Sequence, residues 1–441
     1  MSKQDDKKRV TPKLRFPEFQ AALGWEQNIL SNYSYIIRGS SPRPIEKYLT
    51  QNTNGLNWLK IGDVQKEDKY VTKTEEKVTL DALTKTRQVY KGDFILSNSM
   101  SFGRPYILKI DTCIHDGWIA ITNINHKLNN GYLYYLMLTS SSQNYFKKNA
   151  AGSSVLNLNA EIIKLLPIAL PELAEQQKIA DCLSSLDELI ELREQRLAAL
   201  KQHKKGLMQQ LFPSHNDLQA SKQASKQASK QASKQASKQA SKIVYPKLRF
   251  PQFKNCKGWE IVELNIISDF VKEKIEVSKL SVKNYISTEN LLADYSGIIS
   301  ANKLPTNNKV TAYKVGDILV SNIRPYLKKV WYSDKNGGAS NDIIVIRAKQ
   351  NINAYFLSSI IKNDDFIEYM MKGAKGVKMP RGDLNLISKF LVAIPSSPEE
   401  QQAIAGCLSS LDKLIREENE YIGSLKAHKK GLMQQLFPML Q

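Results

Sequence analysis

Apolar residues recur in alternating steps of four and three along residues 175–213: Ile179, Leu183, Leu186, Ile190, Leu197, Leu200, Leu207 and Leu211, with Arg193 and Lys204 in the gaps. That spacing is a heptad seam, so the stretch predicts one long helix that pairs with another helix. The same seam returns at Ile404, Leu408, Leu411, Ile415, Ile422, Leu425, Leu432 and Leu436, with Glu418 and Lys429 in the gaps. The two copies share 26 of 39 residues and lie 225 residues apart. Ser397-Pro398-Glu399-Glu400 reads as an N-cap, a first-turn proline and a capping-box glutamate. Phe212-Pro213 and Phe437-Pro438 end the helices, because proline lacks the N–H and crowds the preceding turn. The economical pairing is between the two copies, antiparallel, with Arg193 facing Glu418 across the middle of the seam. The alternative is that each helix packs on its own domain. Leu189, Leu192, Leu414 and Tyr421 either face a partner or simply broaden the apolar stripe.

The repetition extends beyond the helices. PKLRFPEF (12–19) matches PKLRFPQF (246–253), KGDFILSN (91–98) resembles VGDILVSN (315–322), and PIALP (167–171) resembles LVAIP (391–395). GRPYI (103–107) and IRPYL (323–327) follow the matching strands. Short β-branched runs at 57–64, 93–98, 316–322 and 341–348 predict strands, and 132–150 and 354–373 predict helices. Leu158–Leu166 and Leu384–Leu391 predict short helices leading into a last strand. The fold class is α+β: a first globular segment at 1–171, a long helix at 172–213, a connector at 214–245, a second globular segment at 246–395 and a second long helix at 396–441. The connector holds QASK six times, Gln219 to Lys242. It has no apolar face, and its residues favour helix, so it is either an exposed, partly helical connector starting near Asn216 or Asp217, or plain disorder.

Charge narrows the function. The formal net charge is +20, and +14 remains without the six tract lysines, so the balance is spread over the folded part. A basic soluble chain most often meets nucleic acid; an anionic membrane is the weaker reading. The polar start MSKQDDKKRV is no signal peptide and no run spans a bilayer, which points to a cytoplasmic location with no membrane partner. The four cysteines form no CxxC pair, which disfavours a zinc site or a disulfide framework.

Catalytic motifs are missing. There is no GxxxxGK[ST], no GxGxxG opening a helix, no HExxH and no Asn/Asp-Pro-Pro-aromatic run, so no catalytic residue and no metal ligand is assigned. Basic, polar and glycine-rich loops remain. Arg104 and Arg324 can read guanine edges or hold phosphates; Tyr106 and Tyr326 are either DNA contacts or core residues. One loop offers Lys147, Lys148, Ser153, Ser154 and Asn157, and its counterpart offers Lys372, Lys375, Lys378 and Arg381. For each, a solvated surface residue is the competing reading.

With the doubled order PKLRFP, KIGDV or YISTENL, GDFILSN or GDILVSN, and EQQ…CLSSLD…HKKGLMQQLFP in view, nearly the whole chain resembles the specificity subunit of type I restriction–modification systems. The resemblance implies two target-recognition domains held apart by an antiparallel coiled coil, each reading one half of a bipartite double-stranded DNA target. It implies a non-enzymatic subunit that recruits two methyltransferase subunits and restriction/translocase subunits. S-adenosylmethionine, ATP and Mg are then expected on those partners and no cofactor on this chain. It also implies that the central repeat tunes the gap between half-sites. The alternative is a stand-alone architectural DNA-binding protein without enzymatic partners. A self-sufficient modification enzyme is disfavoured by the missing cofactor motifs.

Overall fold

The computed structural model describes residues 9–98, 102–151, 157–231, 243–376 and 378–440, and over 225–231 only the backbone. The chain forms two compact units. Unit 1 joins residues 1–194 to 420–441, and unit 2 is residues 195–419. Each boundary falls inside a long helix, so neither unit is a globular segment followed by its own whole helix.

Unit 1 begins with β1 (Arg9–Val10), β2 (Trp25–Ile29), β3 (Tyr35–Arg38), β4 (Leu49–Thr50), β5 (Leu56–Leu59), β6 (Tyr70–Val71), β7 (Glu76–Val78) and β8 (Arg87–Val89). It continues with β9 (Phe94–Ser97), β10 (Pro105–Leu108), β11 (Thr112–Ile114), β12 (Trp118–Thr122), α1 (Asn130–Leu138), α2 (Ser140–Asn149), α3 (Ala160–Lys164), β13 (Pro167–Leu170) and the first half of α4 (Leu173–Leu211). The strands form three sheets in the orders β1-β2-β13, β3-β12-β9-β10-β6 and β4-β7-β5-β11-β8. β9 and β10 are buried at every position, which is why they read as continuous apolar runs rather than alternating ones.

Unit 2 takes the second half of α4, then α5 (His215–Gln231), β14 (Ile243–Val244), β15 (Trp259–Glu263), α6 (Leu264–Ile267), β16 (Ser268–Phe270), β17 (Lys274–Glu276), β18 (Tyr285–Ile286) and β19 (Lys309–Tyr313). β20 (Ile318–Ser321), β21 (Val330–Tyr332), β22 (Gly337–Ala339), β23 (Ile343–Ala348), α7 (Ala354–Ile361), α8 (Asp364–Lys372), α9 (Leu384–Ile387), β24 (Leu391–Ile394) and the first half of α10 (Pro398–Leu436) complete it. Its sheets run β14-β15-β24, β16-β23-β20-β21 and β17-β19-β22-β18. From β20 onward the order of elements repeats that of unit 1, but among the described residues no strand of unit 2 takes the place that β6 holds beside β10.

Each expected helix at 132–150 and 354–373 is two helices. Thr139 Oγ1 accepts from the Ser142 amide and starts α2, and Asn363 Oδ1 accepts from the Asp365 amide and starts α8. Side chains of this kind cap a new helix as readily as they continue an old one. The connector helix α5 begins at His215, one residue before the expected start. Ser214 and Asp217 cap it reciprocally. Its first turn is only partly exposed: Asn216 and Asp217 are exposed, but His215 is buried and Leu218 lies in the core of unit 2; residues 232–242 of the tract lie outside the described residues.

The repeated sequence motifs are the parts that fasten the long helices. In unit 1, Arg15 forks onto Glu175 through Nε (2.7 Å) and Nη2 (2.6 Å), with both side chains buried. In unit 2, Arg249 grips Glu400 in the same way (2.7 Å for each bond), and Trp259 Nε1 donates to the same carboxylate at 3.1 Å. The glutamine after each glutamate accepts the first helix's N-cap amide: Asn129 to Gln176 at 2.8 Å and Asn353 to Gln401 at 2.9 Å. The second glutamine accepts from the side-chain amide of that same asparagine, at 2.6 Å in both units. The EQQ triplet is therefore a three-pronged clasp. It also corrects the capping-box reading: Ser397 Oγ does accept the Glu400 amide (3.2 Å), but the Glu400 carboxylate is taken by Arg249 instead of reaching back to the cap.

Each unit then closes its core with the end of the helix that began in the other. Leu436 and Phe437 lie in the core of unit 1, with the Phe437 ring 5.2 Å from Tyr132. Leu211 and Phe212 lie in the core of unit 2, with Phe212 5.5 Å from Phe356. Within unit 1 the two helix halves run antiparallel: Lys429 pairs with Asp187, and Lys426 with Glu194 at 2.6 Å. Within unit 2 Lys204 pairs with Asp412 (2.6 Å) and Arg196 with Glu418 (3.6 Å). A tyrosine hydroxyl donates to each inner carboxylate, Tyr135 to Asp187 at 2.7 Å and Tyr355 to Asp412 at 2.5 Å. Ile179, Leu183, Ile190, Ile404, Leu408, Ile422 and Leu425 are buried, while Leu186, Leu197, Leu200, Leu411 and Ile415 are half-buried. Arg193 leaves the apolar seam to lie 4.8 Å over the Tyr421 ring, and Glu418 is buried beside Arg196.

Candidate nucleic-acid interface

The two basic loops stand on one backbone scaffold. In unit 1 the chain leaves β9 at Asn98, whose carbonyl accepts the Leu158 amide at 2.9 Å. Ala151 and Asn157 exchange both backbone hydrogen bonds (3.1 and 2.8 Å), which form an isolated antiparallel bridge. In unit 2 the chain leaves β20 at Asn322, whose carbonyl accepts the Gly382 amide at 3.2 Å. Lys375 and Arg381 exchange both bonds (3.0 and 2.9 Å) and form the matching bridge. All four positions match at an offset of 224.

Unit 2 gathers its candidates. The Arg324 amide donates to the Pro380 carbonyl at 2.9 Å, which ties the loop after β20 to the bridged segment. Arg324 is exposed and left-handed, with φ of 51°, as is Lys328 with φ of 52°. A non-glycine residue held there is a strained backbone that its surroundings must enforce, and such strain clusters at binding sites. Arg381 leans on Asp342 (3.1 Å) and Lys375 reaches toward Asp383 (3.7 Å), but both keep most of their surface in solvent. Two backbone amides, of Asn385 and Leu386, hold the Asp383 carboxyl below the usual range, with Lys375 adding to the effect. Lys372, Lys378 and Tyr326 are exposed as well, Tyr326 at 50%. Lys328 and Lys329 are committed to Asp364 and to the Thr288 carbonyl, both at 2.6 Å.

Unit 1 presents fewer charges. Lys147 and Lys148 are exposed in the last turn of α2, and Asn157 is exposed at the bridge. Ser153 and Ser154 lie outside the described residues. Arg104 donates to the carbonyls of Glu67 (3.1 Å) and Asp68 (3.5 Å). Tyr106 is a correction: it is fully buried, its ring edge-on to Trp118 at 5.9 Å, so it packs the core and cannot touch a duplex. The two Arg-Pro-Tyr triplets are not equivalent. Pro105 and Tyr106 lie in β10, whereas Pro325 and Tyr326 form a turn before β21. Their offset of 220, against 224 for the flanking strands, was the warning in the sequence. What sequence reasoning missed is the Arg15–Glu175 and Arg249–Glu400 clasp, although both partners lie in motifs that repeat.

The family model for the type I restriction modification DNA specificity domain matches residues 36–202 and 256–426. The chain belongs to this family. Specificity proteins of this kind supply DNA sequence recognition and are not themselves enzymes. The chain is 28% identical over 318 residues to a putative type I restriction enzyme specificity subunit, MjaX, of Methanocaldococcus jannaschii, covering 69% of this chain and 67% of that one. It is 25% identical over 278 residues to the EcoDI specificity subunit of Escherichia coli, covering 62% and 61%. In fold it resembles the type I restriction–modification S subunit from M. genitalium, with a TM-score of 0.56 at 16% identity over 98% of this chain and 100% of that one. Membership implies assembly with DNA and with methyltransferase and restriction subunits. Among the described residues of this specificity protein, no helix is long and apolar enough to cross a membrane.

Proposed function

We propose that each unit reads one half of a bipartite double-stranded DNA target, with the segments joined by the bridge Ala151–Asn157 or Lys375–Arg381 and the chain leaving β9 or β20 as the reading elements. The observation that carries this is the shared scaffold with unlike contents: the same backbone bonds at the same offset hold Ala151 and Asn157 in one unit and Lys375 and Arg381 in the other. A fixed frame with exchangeable side chains is what two readers of different base sequences require. The two half-sites therefore differ.

In this reading Arg324, Arg381, Lys375, Lys378, Lys372 and Tyr326 contact DNA in unit 2, and Lys147, Lys148 and Asn157 in unit 1. Two methyltransferase subunits dock on the long helices, where Leu192 (62% exposed), Leu414 (44%) and Tyr421 (43%) offer apolar surface. Restriction subunits join that assembly. S-adenosylmethionine, ATP and Mg reside on those partners, and the complex works in the cytoplasm. Exchanging residues 246–395 for those of a relative tests the reading by methylome sequencing. One half of the recognised sequence should change; a change in both halves would sink it. Removing two QASK units should alter the tolerated gap and leave both half-sites as they are.

A further inference from the structure

A cleft of about 320 Å³ opens in unit 1 where β6 and β10 meet the first turns of α4. Lys69, Lys91 and Lys109 line it, with Tyr70 among them. Lys109 Nζ lies 4.3 Å and Lys69 Nζ 5.4 Å from the centre of the Tyr70 ring. Lys69 Nζ also approaches the Tyr135 hydroxyl at 3.2 Å. Burial lowers the Lys69 pKa; Asp187 opposes that shift, and the charges of Lys429 and Lys109 add to it. Glu188 also opposes the shift, and the ammonium lies 4.9 Å from the Tyr134 and Tyr135 ring centres. Of the nearby acids, Asp187 is bound by Lys429 and Tyr135, Asp181 lines the cleft and accepts from Gln177 at 2.7 Å, and Glu188 is exposed, so three lysines face one carboxylate among the lining residues.

Unit 2 shows what the same place looks like when it is structural. The N-cap asparagines of α1 and α7 fix one register, and the turn bonds Gly92 N to Leu108 O and Gly316 N to Ser333 O fix the other. By these, Lys91 corresponds to Val315, Lys109 to Asp334, Ile107 to Tyr332 and Gly131 to Tyr355. The Tyr332 and Tyr355 rings pack edge-on at 5.1 Å, and among the described residues no strand matches the one that carries Tyr70. One unit fills the place with two aromatic rings and loses the lysines. The other keeps it open and basic.

We infer that the unit 1 cleft is a binding site for a small phosphorylated anion of nucleotide size. Compact ammonium groups suit phosphate, whereas planar carboxylates favour a guanidinium fork. The volume lies at the lower end of small-ligand sites, about 300–1,000 Å³, and admits no duplex. The Tyr70 ring, 40% exposed, holds the Lys109 and Lys69 ammonium groups at the cleft by cation–π contact. This inference stands apart from the DNA reading above.

Calorimetric titration of the full-length protein with sodium triphosphate and with ATP tests it. Saturable one-to-one binding at about 1 mM or tighter is expected for both. The double variant K91V/K109D copies unit 2 at two exposed positions and should weaken both ligands by roughly tenfold or more. K69Q should do the same. Binding that fails to saturate, or that survives in K91V/K109D, would overturn the site. So would a parallel loss of specific DNA affinity in K91V/K109D, which would make the lysines part of the DNA surface. If the wild-type chain bound no specific DNA at all, the recognition reading would fall and the triphosphate titration would still decide this one.

Discussion

The two units fasten their helices by the same device and present different faces. Arg15–Glu175 and Arg249–Glu400 make the same forked bonds, and the glutamine prongs and phenylalanine plugs correspond, while Trp259 adds a bond to Glu400 that the buried Trp25 Nε1 does not make to Glu175. The bridged segments, the chain after β9 and β20, and the cleft beside Tyr70 differ. Repetition in this chain therefore marks architecture, and the proposed ligand surfaces lie where the repetition breaks. That inverts the first instinct of reading a doubled motif as a doubled binding site.

The comparison predicts where substitutions hurt equally and where they do not. The largest effects belong to the clasps. Glu175→Ala and Glu400→Ala each strand a buried guanidinium, at a cost of roughly 3–5 kcal/mol. Urea unfolding should show two similar losses; a small loss in either unit would break the equivalence. Phe212→Ala and Phe437→Ala follow at about 3–5 kcal/mol each, since both rings are buried in a core. Next come the two tyrosines of the false repeat. Tyr106→Ala should destabilise unit 1, whereas Tyr326→Ala should leave stability unchanged and weaken specific DNA binding, measured by salt-dependent titration. Arg381→Ala should lower specific affinity by roughly tenfold or more without moving the urea midpoint.

The smallest effects are pH-dependent and belong to unit 2. Burial opposes ionisation of Asp412, but the charges of Lys204 and Lys362 and the donors Lys204 and Tyr355 hold its carboxyl below the usual value. That contribution is present above the ordinary aspartate range, near about 3.9, and is lost as pH falls through the lowered folded value. Asp412→Asn should flatten the acid limb of the urea midpoint. Lys362 has the opposite sense: burial pushes its ammonium down to about 8, with Asp412 opposing and Lys204 assisting. The unfolded chain then binds more protons, so stability should rise from about pH 8 toward the ordinary lysine value near 10.4. Lys362→Met should remove that rise.

The sequence pattern carried the long helices and the buried strands β9, β20 and β23 to within a few residues, because a heptad seam and an unbroken apolar run are local signals. Strand order was not legible, because pairing depends on contacts far apart in sequence. β6 and β10 lie side by side across more than thirty residues of intervening chain. The bridged segments were legible as basic loops but not as matched frames, since their bonds are between backbone atoms. Arg104 and Arg324 looked alike only because three letters repeated at the wrong offset.

The phenylalanine plugs also set a timetable for synthesis. The elements of unit 2 lie on one continuous stretch of chain, and its plug, Phe212, leaves the ribosome before the core it fills. Unit 1 is the reverse: most of it is made first, yet Leu436 and Phe437 arrive only after all of unit 2 has been made. At about 5–20 residues per second, the earlier-made portion waits roughly 10–50 s with a hole in its interior. The segment born first is therefore the last to mature, and it is the one exposed to proteases and chaperones in the meantime.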